Sequence, residues 1–124
     1  MEKYIGRTIL VVEDDNISRA LFRELFRESG CQMFYARNAA EAREFIEQNP
    51  SPDLILLDIR LPDMNGIQLA ENLLKIYPHL TIAAQTAFAY QDLEEECHRV
   101  GMKYFITKPI QMSKLNSMLK SLGW

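Results

Sequence analysis

Leu54-Ile55-Leu56-Leu57-Asp58-Ile59-Arg60-Leu61-Pro62-Asp63-Met64-Asn65-Gly66 is the stretch whose reading decides the fold. Four branched apolar residues in a row, with Asn49-Pro50-Ser51-Pro52-Asp53 before them and Pro62 after, predict a short strand buried on both faces. Asp58 closes that run, so its carboxylate is expected at the rim of the core, at a strand's carboxyl end. Open α/β sheets keep their chemistry there. A second run of the same kind, Ile9-Leu10-Val11-Val12, ends in Glu13-Asp14-Asp15. Thr81-Ile82-Ala83-Ala84-Gln85 stops at Thr86, and Lys103-Tyr104-Phe105-Ile106-Thr107 stops at Lys108-Pro109. If these strands are parallel, acids, a hydroxyl and an amine gather at one edge. Carboxylates crowded in one cleft need a cation to stay ionised together.

Helical patterns alternate with the strands. Ile17, Ala20, Leu21, Leu25 and the pair Phe22/Phe26 recur at helical spacing up to Gly30. Cys31 to Ala36 predicts a short strand, and Asn38 an N-cap for a helix carrying Ala39, Ala42, Phe45 and Ile46 that ends before Pro50. Ile67, Ala70, Leu73, Leu74 and Tyr77 predict a third helix, stopped by Pro78. The fourth, about Tyr90 to Val100, has only Leu93, Cys97 and Val100 on its apolar side, with Glu94-Glu95-Glu96 facing water, and Gly101 ends it. Met112, Leu115, Met118, Leu119 and Leu122 mark the last. Five βα units imply a parallel sheet with right-handed crossovers and helices on both faces.

At 124 residues the chain is expected to be a single domain, 1–124, and 48% hydrophobic with 25% charged content excludes disorder. A net charge of −3 gives no electrostatic reason for direct nucleic-acid binding. No apolar stretch approaches the roughly 20 residues of a membrane span, and the first residues lack the apolar core of a signal peptide. The expectation is a cytoplasmic protein, or one on the cytoplasmic side of a membrane-bound kinase. Cys31 and Cys97 show no metal or disulfide spacing.

Val12-Glu13-Asp14-Asp15, Asp58 with Leu61-Pro62-Asp63-Met64-Asn65-Gly66, Thr86-Ala87 and Lys108-Pro109-Ile110, in that order and each at a strand end, resemble the receiver domain of two-component response regulators. The match covers nearly the whole chain. The resemblance implies a flavodoxin-like (CheY-like), doubly wound five-stranded parallel sheet of order 2-1-3-4-5 with five helices. It implies a phosphorylation-controlled signalling switch in a phosphorelay, in which Asp58 takes a phosphoryl group from a phosphohistidine with Mg2+ as cofactor. Phosphoryl transfer asks for positioning and charge neutralisation more than covalent help. Glu13 and Asp14 match the acidic pair, Asp14 as direct metal ligand and Glu13 acting mainly through metal-bound water. Asp58 and the backbone carbonyl of Arg60 complete the metal set. Lys108 and Thr86 answer the new charge, and Thr86 with Phe105 forms the switch. Asp15 reads as the N-cap of the first helix. A cis Lys108-Pro109 bond is implied as well.

Phe105 stands where receivers often carry tyrosine, so the switch is read by shape alone; Asn65 replaces the more usual aspartate. Arg60 and Phe88 lie two residues beyond Asp58 and Thr86 and would flank the phosphate, shielding it from water. Gln85 to Ala89 and Phe105 to Ile110 look most like receivers fused to hybrid histidine kinases. The partners implied are a histidine kinase or histidine phosphotransfer domain docking near the first helix, with a homodimer on phosphorylation as a further state. Phe22 and Phe26 read equally as docking or core residues. The chain is expected to be a phosphoacceptor rather than a turnover enzyme. A phosphorylation-independent interaction domain is the alternative. A Mg2+-dependent phosphatase is disfavoured by Arg60, where such enzymes place a second acid, and by the lack of a cap insertion.

Overall fold

The computed structural model describes residues 4–124. Five parallel strands, β1 (Thr8–Val12), β2 (Gln32–Ala36), β3 (Leu54–Asp58), β4 (Ile82–Thr86) and β5 (Tyr104–Thr107), lie in the order β2-β1-β3-β4-β5. Between and after them run α1 (Asn16–Leu25), α2 (Ala39–Gln48), α3 (Gly66–Ile76), α4 (Leu93–Arg99) and α5 (Met112–Ser121). The fold is the CheY-like, flavodoxin-type doubly wound sheet that the resemblance implies. Among the described residues no helix is long and apolar enough to cross a membrane.

Strand alternation splits the core into two layers. Leu10, Val12, Ile55, Leu57 and Ala84 face α2, α3 and α4, meeting Ile46, Leu69, Leu73 and Cys97. Ile9, Val11, Leu54, Leu56, Ala83 and Ile106 face α1 and α5, meeting Phe22, Phe26, Leu115 and Leu119. Burial of β3 is complete from Leu54 to Asp58. That is why its sequence is a continuous apolar run rather than an alternating one.

Helix starts follow local chemistry. Asp15 caps α1 by accepting from the Ser18 N–H (2.9 Å), and Asn38 caps α2 by accepting from Glu41 N–H (2.8 Å). Two boundaries differ from the sequence reading. Leu25 rather than Gly30 closes α1, and α4 begins at Leu93 rather than about Tyr90. Asp92, in the left-handed region at φ 67°, breaks the helical path before Leu93. Phe22 and Phe26 are core, settling the open choice, while Ile17 and Leu21 on the same helix are exposed (79% and 40%).

One close approach fixes the turn after β3. Gly66 starts α3 with its N–H bonded to the Ile59 carbonyl (2.8 Å), and an added Cβ would lie 2.5 Å from the Asp58 carbonyl oxygen and 2.7 Å from Ile59 Cα. Those are backbone atoms, so the helix or the strand end must move. Gly66→Ala is expected to destabilise the domain by roughly 2–3 kcal/mol in urea unfolding. A midpoint equal to that of the unsubstituted chain would refute this packing account.

Candidate functional site: a carboxylate cleft at the sheet edge

The side chains that continue the α1/α5 side of each strand meet beyond its carboxyl end. Glu13 follows Ile9 and Val11, Asp58 follows Leu54 and Leu56, and Lys108 follows Ile106. One oxygen from each of Glu13, Asp14 and Asp58 lies within 4.8 Å of the others. Glu13 is buried, Asp58 nearly so, and Asp14 is exposed at the mouth. The Lys108 ammonium, arriving from the end of the edge strand β5, donates to Glu13 Oε1 and to Asp58 Oδ2 (3.1 Å for the latter). The other Asp58 oxygen, Oδ1, accepts from the Arg60 N–H at 2.9 Å.

Burial first, and then the adjoining Asp58 carboxyl, push Glu13 up to about 7, against the opposing pull of Lys108. Burial works against the charged form of Lys108 too, but the Glu13 and Asp58 carboxylates outweigh it and hold the amine above its ordinary value. With all groups ionised, three carboxylates and one ammonium leave the cleft doubly negative. The donor set is all oxygen, open on the Asp14 side and short of positive charge by two. It fits a hard divalent ion that keeps several waters, such as Mg2+.

Thr86 is buried at the end of β4, and its hydroxyl accepts from the Phe88 N–H (3.1 Å). Its carbonyl takes the Lys108 N–H (2.8 Å), which ties the two strand ends together. Arg60 reaches over Phe88, its guanidinium carbon 4.6 Å from the ring centroid. The backbone of Arg60 pairs with Asn65, which folds the loop. Phe105 is half-buried on the α2/α3/α4 side of the sheet, away from the carboxylates. The Lys108–Pro109 bond is cis. The structure thus gathers Glu13, Asp14, Asp58 and Lys108 in one cleft, puts Thr86 at the carboxyl end of the neighbouring β4, and keeps Phe105 on the other layer.

Residues 9–120 match the response regulator receiver domain family. The chain belongs to that family. Among relatives of this receiver, the polar-differentiation response regulator DivK of Brucella anthropi is 33% identical over 117 residues, 93% of this chain and 94% of the relative. A CheY-like response regulator receiver domain protein from Methanospirillum hungatei superposes with a TM-score of 0.86 at 29% identity, covering 94% of each chain. In the CheX–CheY–BeF3–Mg2+ complex of Borrelia burgdorferi the matched chain gives a TM-score of 0.89 at 24% identity, over 97% of this receiver and 91% of that chain, a likeness of fold alone. This receiver is therefore a response regulator domain of two-component signalling.

Three site features were not read from the sequence. Arg19 donates to the Glu13 carbonyl (2.7 Å), bracing the acidic pair from α1. Gln85 is buried next to Asp58. Asp63 accepts from the Ala39 and Ala40 N–H groups (2.9 and 3.1 Å), docking the Asp58 loop on the N-terminus of α2. The sequence did hold a signal for the last, since an acid in a loop and an Asn-capped helix start are complementary.

The Ala39 N–H above all, helped by that of Ala40, holds the Asp63 carboxyl below its usual value. A depressed folded-state value means stabilisation that is present above the unfolded value and lost as pH falls through the folded one. Asp63→Ala should lower the urea midpoint at pH 7, with a deficit that narrows as pH falls below about 3.8. A deficit independent of pH would show that the carboxylate charge is not what anchors the loop.

Proposed function

We propose that this receiver is a phosphorylation-controlled switch whose acceptor is Asp58. The observation that carries the reading is the set of three carboxylate oxygens within 4.8 Å, with one lysine joining Glu13 to Asp58. A carboxylate oxygen of Asp58 forms the new O–P bond as the N–P bond of a phosphohistidine breaks, and the imidazole leaves with that electron pair. Asp58 has to be ionised to attack. Lys108 donates to Asp58 Oδ2 and faces the transferred oxygens, while the Arg60 N–H fixes the carboxylate's orientation. When bound, Mg2+ would be held by Asp14 directly, by Glu13 through water, by Asp58 and by the Arg60 carbonyl, and would neutralise charge on the transferring oxygens.

The phosphorylated aspartate carries more charge than the carboxylate it replaces. Thr86 can swing its hydroxyl from the Phe88 N–H towards the phosphoryl group, and the space it leaves is what Phe105 reads by shape. The domain is a phosphoacceptor that assists its own modification rather than a turnover enzyme. Its donor is the helical histidine-bearing domain of a kinase or phosphotransfer protein. Such a helix would dock on exposed Ile17 and Leu21, which lie in a groove with Ala87, Pro109 and Ile110 next to Lys108.

Incubated with a small acyl phosphate and Mg2+, the domain should take one stable label, and Asp58→Asn should take none. Mg2+ alone should raise the stability of the unsubstituted domain by about 1.4 kcal/mol per decade of concentration above its Kd, and Asp14→Asn should shrink that gain. Absence of label would leave an interaction domain, and multiple turnover a phosphatase; both outcomes reject the proposal. Arg60, two residues beyond Asp58, stacks on Phe88, and this pair is the proposed shield of the phosphoryl group. Arg60→Ala with Phe88→Ala should speed phosphate loss several-fold, roughly 1 kcal/mol in barrier. Unchanged decay would remove the shielding role.

A further inference from the structure

Gln85 is a buried amide whose polar atoms have nothing to bond. Its exposure is 0%, and neither Oε1 nor Nε2 has a hydrogen-bond partner among the described residues. A buried amide is unfavourable unless paired, and an apolar side chain of similar volume would pack there more easily. Its place in the sheet gives the group a use. In register, Gln85 stands between Asp58 on β3 and Ile106 on β5. By alternation it continues the side of Ala83, the α1/α5 face on which Asp58 and Lys108 also lie. Because β4 separates β5 from β3, the Lys108 side chain must cross the end of β4 on the Gln85 side to reach Asp58 and Glu13. An ammonium has three hydrogens, and the carboxylates engage two of them.

We propose that Gln85 is a positioning residue for Lys108, accepting the third ammonium hydrogen on Oε1 when a phosphoryl group on Asp58 draws the amine away from Glu13. The inference rests on Asp58 being the phosphoacceptor. In the resting cleft the two carboxylates hold Lys108 and the amide is unpaired. Once one Asp58 oxygen carries phosphorus, the amine follows the new charge and the amide gains its bond. The amide is buried in both arrangements and bonded only in the phosphorylated one, so that one bond biases the equilibrium towards it.

Gln85→Met removes the polar atoms at nearly constant volume, and Gln85→Leu serves as a second variant should the first misfold. The variant should unfold at higher urea concentration in the metal-free form. Its maximal rate of labelling by a small acyl phosphate should fall about tenfold at an unchanged half-saturating Mg2+ concentration. In the form saturated with Mg2+ and beryllofluoride, the 15N resonance of the Lys108 ammonium should differ between the unsubstituted domain and the variant. A plain core-filling role moves neither the rate nor that resonance, and either result unchanged overturns the proposal. Lower stability of the variant overturns it also, since the amide would then be paired at rest. No label on the unsubstituted domain rejects the phosphoacceptor reading and this inference with it. Equal labelling of domain and variant rejects this inference alone.

Discussion

The ion pairs of Lys108 with Glu13 and Asp58 are the interaction on which the rest of the site depends. They join the ends of β1, β3 and β5 across a cleft in which like charges would otherwise drive those ends apart. Removing one partner of a buried pair leaves an uncompensated charge, a far larger cost than losing a surface pair. The arrangement is stable and yet incomplete, because one ammonium cannot balance three carboxylates. A site left short of positive charge is poised for a divalent ion and for an incoming group that changes the charge again.

The fold makes this possible with little local invention. A parallel sheet puts every strand's carboxyl end on one edge, and strict alternation decides which side chains there share a face. Glu13, Asp58, Gln85 and Lys108 share the α1/α5 side through the parity of their positions relative to Val11, Leu56, Ala83 and Ile106. Thr86 is one residue out of that parity, continuing the side of Ala84. It stands at the seam between the two layers, bonded at rest to a loop amide rather than to the acids. On the proposed reading, that offset would let a hydroxyl respond to chemistry on one side of the sheet by moving something on the other, where Phe105 lies.

How much of this was legible in the sequence varied with the strength of the local signal. β3 was clear because complete burial demands an unbroken apolar run, and Asp58 could be placed at its end without knowing anything else. α4 was read too long because Tyr90 fits its apolar pattern while the left-handed turn at Asp92 has no compositional signature. On α1 the difficulty was geometric. Ile17 and Leu21 form one apolar stripe and Phe22 and Phe26 another, roughly 140° apart at ~100° per residue, so either could face the sheet. Only the packing of α1 against β1, β3 and α5 settles that the phenylalanines turn inward.

That choice leaves the aliphatic pair exposed near the carboxylate cleft, and the juxtaposition bears on the proposed docking. Ile17 and Leu21 lie within one helical turn of each other and border the groove that Lys108 and Pro109 also line. A donor helix pressed against this stripe would be guided towards Asp58 by apolar contact rather than by charge, because the cleft itself is anionic and would repel a phosphorylated partner. Affinity and chemistry are thereby separated. On the proposed reading, contact on α1 would select the partner whatever the state of the cleft, while the carboxylates would decide only whether the bound partner could hand over its phosphoryl group. A receiver built this way would discriminate among donors through the few exposed side chains of one helix, and its acceptor geometry would stay constant when those side chains vary.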